Sequence, residues 1–381
     1  MKKILTILML LVGSIAWADS PIISLITCGE TDEHVFYLYG HTALRVQNGQ
    51  DDLVYNYGYF SPSQKHFILN FVLGKPMYSL GVISFQDFLW EYEAQGRSVV
   101  EQELNLKPEE AQALMEQLMW NALPENRDYQ YNFYFDNCAT RPRDLIDEAI
   151  GGIEYHMETD IPTFRQAIRN KSHSAVWYTI GCDICLGWKT DQTMSVKDAA
   201  FLPSLLEEEM DSAVRADNDE PLVIHKKTWV PQTEEIYNPY ERWYIPYLLF
   251  SLLIIIFFVL KYTKRDKALM VLRKSLYAIL GIAGIIVWFL GIVSAHPHTW
   301  PNVNMLFFHP LWLILFFVRQ KKSHRRALKW LYFGNFVAII MYLLLGTIQV
   351  LPLAIPIWAV LMLVDQWFQW SECKVKRVSD E

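Results

Sequence analysis

The sequence has no visible internal repeat and contains few of the residues that mark special classes of protein. Only 5 of its 381 residues are cysteine, and the chain is not basic, since its formal net charge is −7. With 52% hydrophobic residues and a mean hydropathy of +0.10, it is too apolar for a disordered chain or a nucleic-acid-binding tail. One ordinary soluble domain does not account for this composition either.

Acidic residues are scarce in the C-terminal part of the chain. From Ile245 to Glu381 there are 15 basic and 5 acidic residues, whereas the first 244 residues carry 19 basic and 36 acidic ones. An acidic first part joined to a basic, very apolar second part indicates a protein whose two parts lie in two solvents.

The first 18 residues have the pattern of a secretory signal peptide. Lys2 and Lys3 precede an apolar stretch at 4–16, and the sequence AWA at 16–18 offers small residues at −3 and −1 of a cut after Ala18. The alternative is a membrane anchor, for which the apolar stretch is short.

Five further apolar runs approach the ~20 residues that a membrane-spanning helix needs. They lie at 244–260, 276–295, 304–318, 330–350 and 353–370. All 15 basic residues of this part fall between runs one and two, between runs three and four, or after run five. The positive-inside rule therefore predicts that residues 19–243 lie outside the cytoplasm and that the C-terminus lies inside.

These patterns divide the chain into five parts. We predict a signal peptide at 1–18, a globular α+β catalytic domain at 19–205, a linker rich in acids and proline at 206–243, a five-helix transmembrane domain at 244–370 and a cytoplasmic tail at 371–381. Within the α+β domain, we expect a strand at 35–46, a turn, a partner strand at 53–60, and helices at 108–123 and from Arg141 onward.

Three cysteines outside the tail have no clear chemical role. Cys182 and Cys185 form a Cys-x-x-Cys pair, and in an oxidising compartment they could pair with each other, or one of them with Cys28. No second cysteine or histidine pair lies at ligand spacing, so the sequence offers little for zinc, and we expect no metal and no cofactor. A structural or incidental role is favoured for these thiols.

Cys138 is a candidate nucleophile because of the proline that follows it. Pro142 is tolerated only in the first turn of a helix, so the helix begins no earlier than about Ala139 and Cys138 lies at or beside its N-cap. The helix dipole, with Arg141 and Arg143, would favour the thiolate. The alternative is a buried, inert cysteine.

A thiolate nucleophile needs a base, and His41 is the candidate. If Asn48-Gly49 is a two-residue turn, Gln47 pairs with Gln50 and His41 faces Asn56, which could orient the imidazole. The alternatives are a core histidine and an asparagine of a turn or strand edge. A histidine strand, a neighbouring polar strand and a later cysteine form a permuted papain-like arrangement, as in lecithin–retinol acyltransferase-like enzymes.

Several stretches of this sequence together resemble the Lnb-type lipoprotein N-acyltransferase family. They are 40–46 (GHTALRV), 55–58 (YNYG), 96–99 (GRSV) with 101–102 (EQ), 131–144 (YNFYFDNCATRPRD), 201–203 (FLP) and the five-span tail. The resemblance implies that His41 and Cys138 are the catalytic pair, whereas the role of Asn56 follows from strand pairing alone. It also implies phospholipid as acyl donor and diacylglyceryl-modified lipoproteins as acceptors at the bacterial inner membrane.

Other polar residues are candidates for binding the substrate. They are Arg45, Arg141 and Arg143 in the first domain and His296, His298, Asn302 and Asn304 in the external loop between runs two and three. The loop residues could line the entry for a lipid head group or serve plain interfacial solvation. A membrane-tethered cysteine peptidase or amidase acting on cell-wall peptides is the alternative enzyme, and a non-enzymatic envelope scaffold is a third reading. Nucleic acid is not an expected partner.

Overall fold

The computed structural model describes residues 20–60, 65–156, 161–233, 241–318 and 322–378, so the predicted signal peptide lies outside the described residues. A sheet-rich α+β domain comes first. Its strands are β1 (Ile22–Cys28), β2 (His41–Asn48), β3 (Asp51–Tyr59), β4 (Met77–Ser84), β5 (Val99–Leu104), β6 (Asp128–Gln130), β7 (Ile153–Glu154), β8 (Val214–Arg215) and β9 (Val223–Val230).

Helices cover the sheet of this domain and then form the second half of the described chain. Those of the first domain are α1 (Phe67–Val72), α2 (Phe85–Ala94), α3 (Pro108–Asn121), α4 (Thr140–Ile150), α5 (Phe164–Ser172), α6 (Val176–Cys185), α7 (Val196–Ala199) and α8 (Pro203–Ser212). The later ones are α9 (Ile245–Tyr262), α10 (Asp266–Ile292), α11 (Trp312–Phe317), α12 (Arg325–Leu344) and α13 (Ile355–Val378).

Seven antiparallel strands form the main sheet in the order β6-β4-β3-β2-β1-β5-β9. The β2–β3 hairpin was predicted, but its register differs, because Asn48 pairs with Asp51 and the turn is Gly49-Gln50. Gly49 has φ +61° and is the first central residue of that turn, as in a type II′ turn, and not the second residue of a type I′ turn. The predicted opposition of the His41 and Asn56 backbones is therefore wrong.

The predicted strand at 35–46 also begins later than expected. Residues 35–39 form turns, and the strand starts at His41 directly after Gly40, which has φ +72°. A Cβ at Gly40 would lie 2.7 Å from the carbonyl oxygen of Cys28, so the chain can pass β1 here only because the residue is glycine. This close passage fixes where His41 enters the sheet.

The linker predicted at 206–243 is wrong over most of its described length. Leu206 and Met210 are fully buried, one helical turn apart, and pack α8 into the core of the sheet domain. Strand β9 pairs with β5 and completes the sheet, and its residues 224–228 are exposed. The acidic and proline-rich composition of this stretch gave no indication of α8 and β9. The domain therefore extends to Val230.

Three helices in the described residues are long and apolar enough to cross a membrane, at Ile245–Tyr262, Asp266–Ile292 and Arg325–Thr347. The third predicted run is not one helix. It consists of a 3₁₀ turn (Val303–Leu306), an irregular stretch and α11, whose six residues extend only about 9 Å.

The broken third run nevertheless follows α10 along most of its length. Its Met305 lies beside Gly291, and a Cβ at Gly284 would be 2.5 Å from the backbone of His309. Further along, Leu313 lies against Gly281, and the Lys274 amine is 5.9 Å from the Phe316 ring centroid. Such irregular backbone is tolerated at membrane depth where protein surrounds it, and Phe307, Phe308 and Trp312 are fully buried.

Candidate functional site

The His41 side chain is held by Asn56 at the end of the sheet. His41 is the first residue of β2, Asn56 lies on β3 and is 7% exposed, and the His41 Nε2 is hydrogen-bonded to the Asn56 Oδ1. Because an amide oxygen only accepts hydrogen bonds, Nε2 carries the proton and Nδ1 keeps its lone pair. The predicted contact therefore exists although the predicted register does not.

Cys138 and His41 flank the same glycine. Gly58 has φ +106°, and a Cβ built on it would lie 3.6 Å from the His41 Cε1 and 3.7 Å from the Cys138 Cβ. A larger residue would wedge into the space between the two side chains. The structure thus brings together the three residues that the sequence singled out, Cys138, His41 and Asn56.

Asn137 positions Cys138 at the start of α4. Its side-chain oxygen accepts hydrogen bonds from the backbone N–H groups of Ala139 (2.8 Å) and Thr140 (2.9 Å). Its amide donates to the carbonyl oxygens of Phe133 (2.7 Å) and Phe201 (2.8 Å). All four bonds are buried or half-buried, so the residue before the cysteine is locked to three segments of the domain. The predicted place of Cys138 beside the helix start is confirmed, since Ala139 is the N-cap.

The thiol and the imidazole both favour their neutral forms. Burial raises the pKa of Cys138 to about 11, although the backbone N–H groups of Thr42, Cys138 and Ala139 and the charge of Arg97 act to lower it. Burial lowers the pKa of His41 to about 4, against the hydrogen bond with Asn56. Burial outweighs the helix terminus here, so the thiol is favoured over the thiolate that the sequence pattern favours.

The three arginines expected at the site are engaged elsewhere. Arg45 forms ion pairs with Asp52 (2.7 Å) and Glu101 (2.9 Å). Arg141 is paired with Asp136, and its guanidinium carbon lies 3.7 Å from the Tyr129 ring centroid. Arg143 is paired with Asp144 (2.8 Å) and donates to the carbonyl of Lys197 (2.5 Å). These contacts stabilise the domain. The three guanidinium groups are engaged by protein partners and are not oriented to bind a lipid head group.

The loop between runs two and three joins the two domains. The amide of Asn302 donates to the carbonyls of Ile184 and Cys185, and that of Asn304 to the carbonyls of Asp183 and Ile184, all at 2.8–3.1 Å. Both asparagines are buried and satisfy the last carbonyls of α6. The expectation that they line a lipid entry is not met, because their amides are occupied by the other domain.

The two histidines of that loop also contact the first domain. His298 lies in a cage of aromatic rings, with its centroid 4.8 Å from that of Tyr134, 5.1 Å from Phe164 and 5.5 Å from Phe135. The His296 Nε2 donates to the carbonyl of Phe71 at 2.7 Å. Burial lowers the pKa of both, so at neutral pH they act as uncharged packing groups.

Arg97 is the residue at the site that residue-by-residue reasoning missed. It is 2% exposed, donates to the Gly29 carbonyl (2.8 Å) and lies between the rings of Tyr37 and Tyr92, 4.6 and 4.7 Å from their centroids. Its charge lowers the pKa of both Cys138 and His41. The GRSV stretch at 96–99 was the available signal, but nothing in the sequence placed it beside the cysteine.

The remaining cysteines form no second centre in the described chain. Cys28, Cys182 and Cys185 are free thiols, so neither disulfide pairing considered from the sequence is formed. Among the described residues, no group of three or more His, Cys, Asp or Glu side chains is arranged to hold a metal ion.

A sheet-rich domain followed by helices long and apolar enough to cross a membrane has the architecture of a membrane protein. Residues 33–170 match the family model of the Lnb N-terminal periplasmic domain, and residues 238–375 match that of the Lnb transmembrane domain. The two matches support the assignment of the chain to the Lnb-type family, as a membrane protein whose N-terminal domain is periplasmic. No curated protein matches the chain, and no solved structure does.

The neutral resting state predicts how Cys138 reacts with iodoacetamide. Because only the thiolate reacts and its pKa is about 11, labelling should be slow at neutral pH and should rise about tenfold per pH unit towards that value. Mass spectrometry of the Cys138 peptide measures the rate. His41→Ala should leave the slope unchanged, since an uncharged imidazole does not acidify the thiol. A rate that is flat through neutral pH would contradict the neutral pair.

Proposed function

We propose that this protein is an apolipoprotein N-acyltransferase of the bacterial inner membrane. One observation carries the proposal: the Cys138, His41 and Asn56 cluster belongs to a domain that is hydrogen-bonded, through Asn302 and Asn304, to the segment that joins α10 and α11. A nucleophile held beside a bilayer suits donor and acceptor molecules that are both lipid-anchored, because confinement in one leaflet removes much of the cost of encounter.

In the first half-reaction, the Cys138 sulfur attacks the carbonyl carbon of a phospholipid ester. The His41 Nδ1 takes the thiol proton as the C–S bond forms, and Asn56 holds the ring through Nε2. The ester C–O bond then breaks and His41 returns the proton to the leaving oxygen. The products are a thioester on Cys138 and a lysophospholipid with a free hydroxyl.

In the second half-reaction, the α-amino group of a lipoprotein's diacylglyceryl-modified cysteine attacks the thioester. His41 removes a proton from the nitrogen, the C–S bond breaks, and the thiol regains its proton. An amide forms and the enzyme is restored without a cofactor. The N–H groups of Thr42 and Cys138, which stabilise negative charge on the sulfur, are the proposed donors to the oxyanion.

The same proposal includes the topology and the type of fold. Strands β2 and β3 carry the base and its partner, and the nucleophile follows at the start of α4, which is a permuted papain-like order. Five crossings, with the broken third run as one of them, leave the C-terminus in the cytoplasm together with the basic connections. Residues 19–205 then form most of the catalytic domain.

Mass spectrometry of lipoprotein N-termini tests the function. Deletion of the gene should convert N-acylated lipoproteins to species that lack one acyl chain, and the wild-type protein should restore them. Unchanged N-termini would refute the acyltransferase assignment. If the purified protein releases peptides from the cell wall and transfers no acyl chain, it is a peptidase or amidase and not an acyltransferase.

A further inference from the structure

A short apolar segment exposes most of its large apolar side chains to solvent. We call residues 65–76, which contain α1, the flap. Ile68 is 76% exposed, Leu69 54% and Phe71 47%, and α1 buries none of its residues. An apolar patch of this kind on an external domain marks a binding surface.

Hydrogen bonds place the flap directly on the external end of α10. Ala295 N–H donates to the Leu73 carbonyl (2.9 Å), the Ser294 hydroxyl to the Val72 carbonyl (2.8 Å), and His296 to the Phe71 carbonyl. These three residues follow the last turn of α10, where Ile292 and Val293 are themselves 62% and 57% exposed. The apolar surface of the flap is thus continuous with the surface of a helix long enough to cross a membrane.

The charge of the flap also differs from that of its domain. Lys65 and Lys75 are exposed and stand at its two ends, and no acidic residue occurs in 65–76. The first 244 residues as a whole carry almost twice as many acidic as basic residues. Apolar side chains flanked by lysines are the composition of a segment that lies in the interface of a bilayer.

A row of aromatic rings leads from the flap towards Cys138. Successive centroids of Phe71, Phe67, Phe60, Tyr78 and Tyr131 are 6.4, 5.5, 5.1 and 4.2 Å apart. Burial raises the pKa of Tyr78 to about 12 and that of Tyr131 well above its ordinary value, and the nearby Cys138 adds to both shifts. Gly58, which lies against Cys138, is next to Tyr59, and Tyr59 pairs with Ser79, next to Tyr78, so the inner end of the row is close to the cysteine.

We infer that the flap sits among the outer-leaflet lipids and that the aromatic row guides an acyl chain from the bilayer to Cys138. The ligand that the row would bind is the acyl chain of a membrane phospholipid ester. The guiding role rests on the proposed acyl transfer, whereas insertion of the flap does not. Apolar contact along the row would offset the loss of contacts that the chain leaves in the bilayer.

Photo-crosslinking tests the insertion without reference to activity. A photoreactive residue at position 68 of the full-length protein, in vesicles of phosphatidylethanolamine and phosphatidylglycerol, should yield phospholipid adducts by mass spectrometry. The control position is Gln50, an exposed residue in the β2–β3 turn. This turn lies at the end of β2 opposite to His41, and β2 is about 23 Å long. Equal adducts at both positions, or none at 68, would overturn the inference.

Thioester loading tests the guiding role. The double variant Ile68→Asp/Leu69→Asp should load Cys138 from those vesicles at least about tenfold more slowly, because charge expels the flap from the interface. The swap Ile68→Leu/Leu69→Ile keeps the apolar surface and should retain loading, which separates insertion from a folding defect. If Cys138 of the aspartate variant is loaded at the wild-type rate, the flap and the aromatic row do not guide the acyl chain. Lipid adducts at position 68 with no loading of the wild type would instead reject the proposed function.

Discussion

Replacing Cys138 with serine should abolish acyl transfer, with a loss on the order of 10⁴-fold or more. A serine hydroxyl is far less acidic than a thiol, and burial already keeps the thiol pKa at about 11. His41, whose pKa is lowered to about 4, is too weak a base to deprotonate a hydroxyl in the same place. Labelled phospholipid in vesicles measures the loss as the absence of a hydroxylamine-sensitive adduct on the purified protein.

The matched control is Cys185→Ser. Cys185 is a free thiol at the end of α6, outside the cluster, and its replacement should leave adduct formation near the wild-type level. Both variants should accumulate in the membrane in similar amounts. Retention of most N-terminal acylation by Cys138→Ser would eliminate the nucleophile assignment.

Loss of the base should slow the first half-reaction itself. Without acceptor lipoprotein, His41→Ala should load Cys138 on the order of 10²–10⁴-fold more slowly than the wild type, the range for removal of a general base. The neutral pair makes this dependence strong, because at neutral pH there is almost no thiolate to attack unaided. Single-turnover loading with labelled phospholipid gives the rate.

Asn56→Ala should have a smaller effect than His41→Ala, since the asparagine only fixes the ring through Nε2. The expected signature of such a positioning residue is an intermediate loading rate with the acidic limb of the pH profile moved to lower pH, because the hydrogen bond that raises the His41 pKa is lost. If His41→Ala loads as fast as the wild type, the histidine is a packing group and the base lies elsewhere.

The sequence predicted the members of the site better than the geometry that joins them. Gly40, His41 and the hairpin pointed to Asn56, yet the two-residue slip of the β2–β3 register went unseen, because turn type depends on which residue takes the left-handed conformation. The contact forms despite the slip because Gly58, which lies against the His41 ring, leaves room for the imidazole to reach Asn56.

Other errors share one cause, which is tertiary burial. The thiolate expected at Cys138 is disfavoured because the surrounding domain partly buries the sulfur, and no local sequence pattern reports that burial. Leu206 and Met210 in α8 were overlooked within an acidic stretch, and the third apolar run reads as a helix although glycines of α10 admit its irregular backbone. Long amphipathic or apolar elements with clear boundaries, such as α3 and α9, were placed within two residues of their ends.

The buried amides of Asn302 and Asn304 hold the first domain, and Cys138 with it, in one position relative to the long apolar helices. If the first domain moved away from their loop, the amide N–H groups of both asparagines and the last carbonyls of α6 would lose their hydrogen-bond partners. The cost is about 1–3 kcal/mol for each buried group. The first domain is therefore held rigidly against the loop and does not rotate freely about it. In the proposed acyl transfer, every substrate would have to bring its reacting carbonyl or amine to this one position, so the distance between a lipoprotein's lipid anchor and its first folded part would be a condition for reaction.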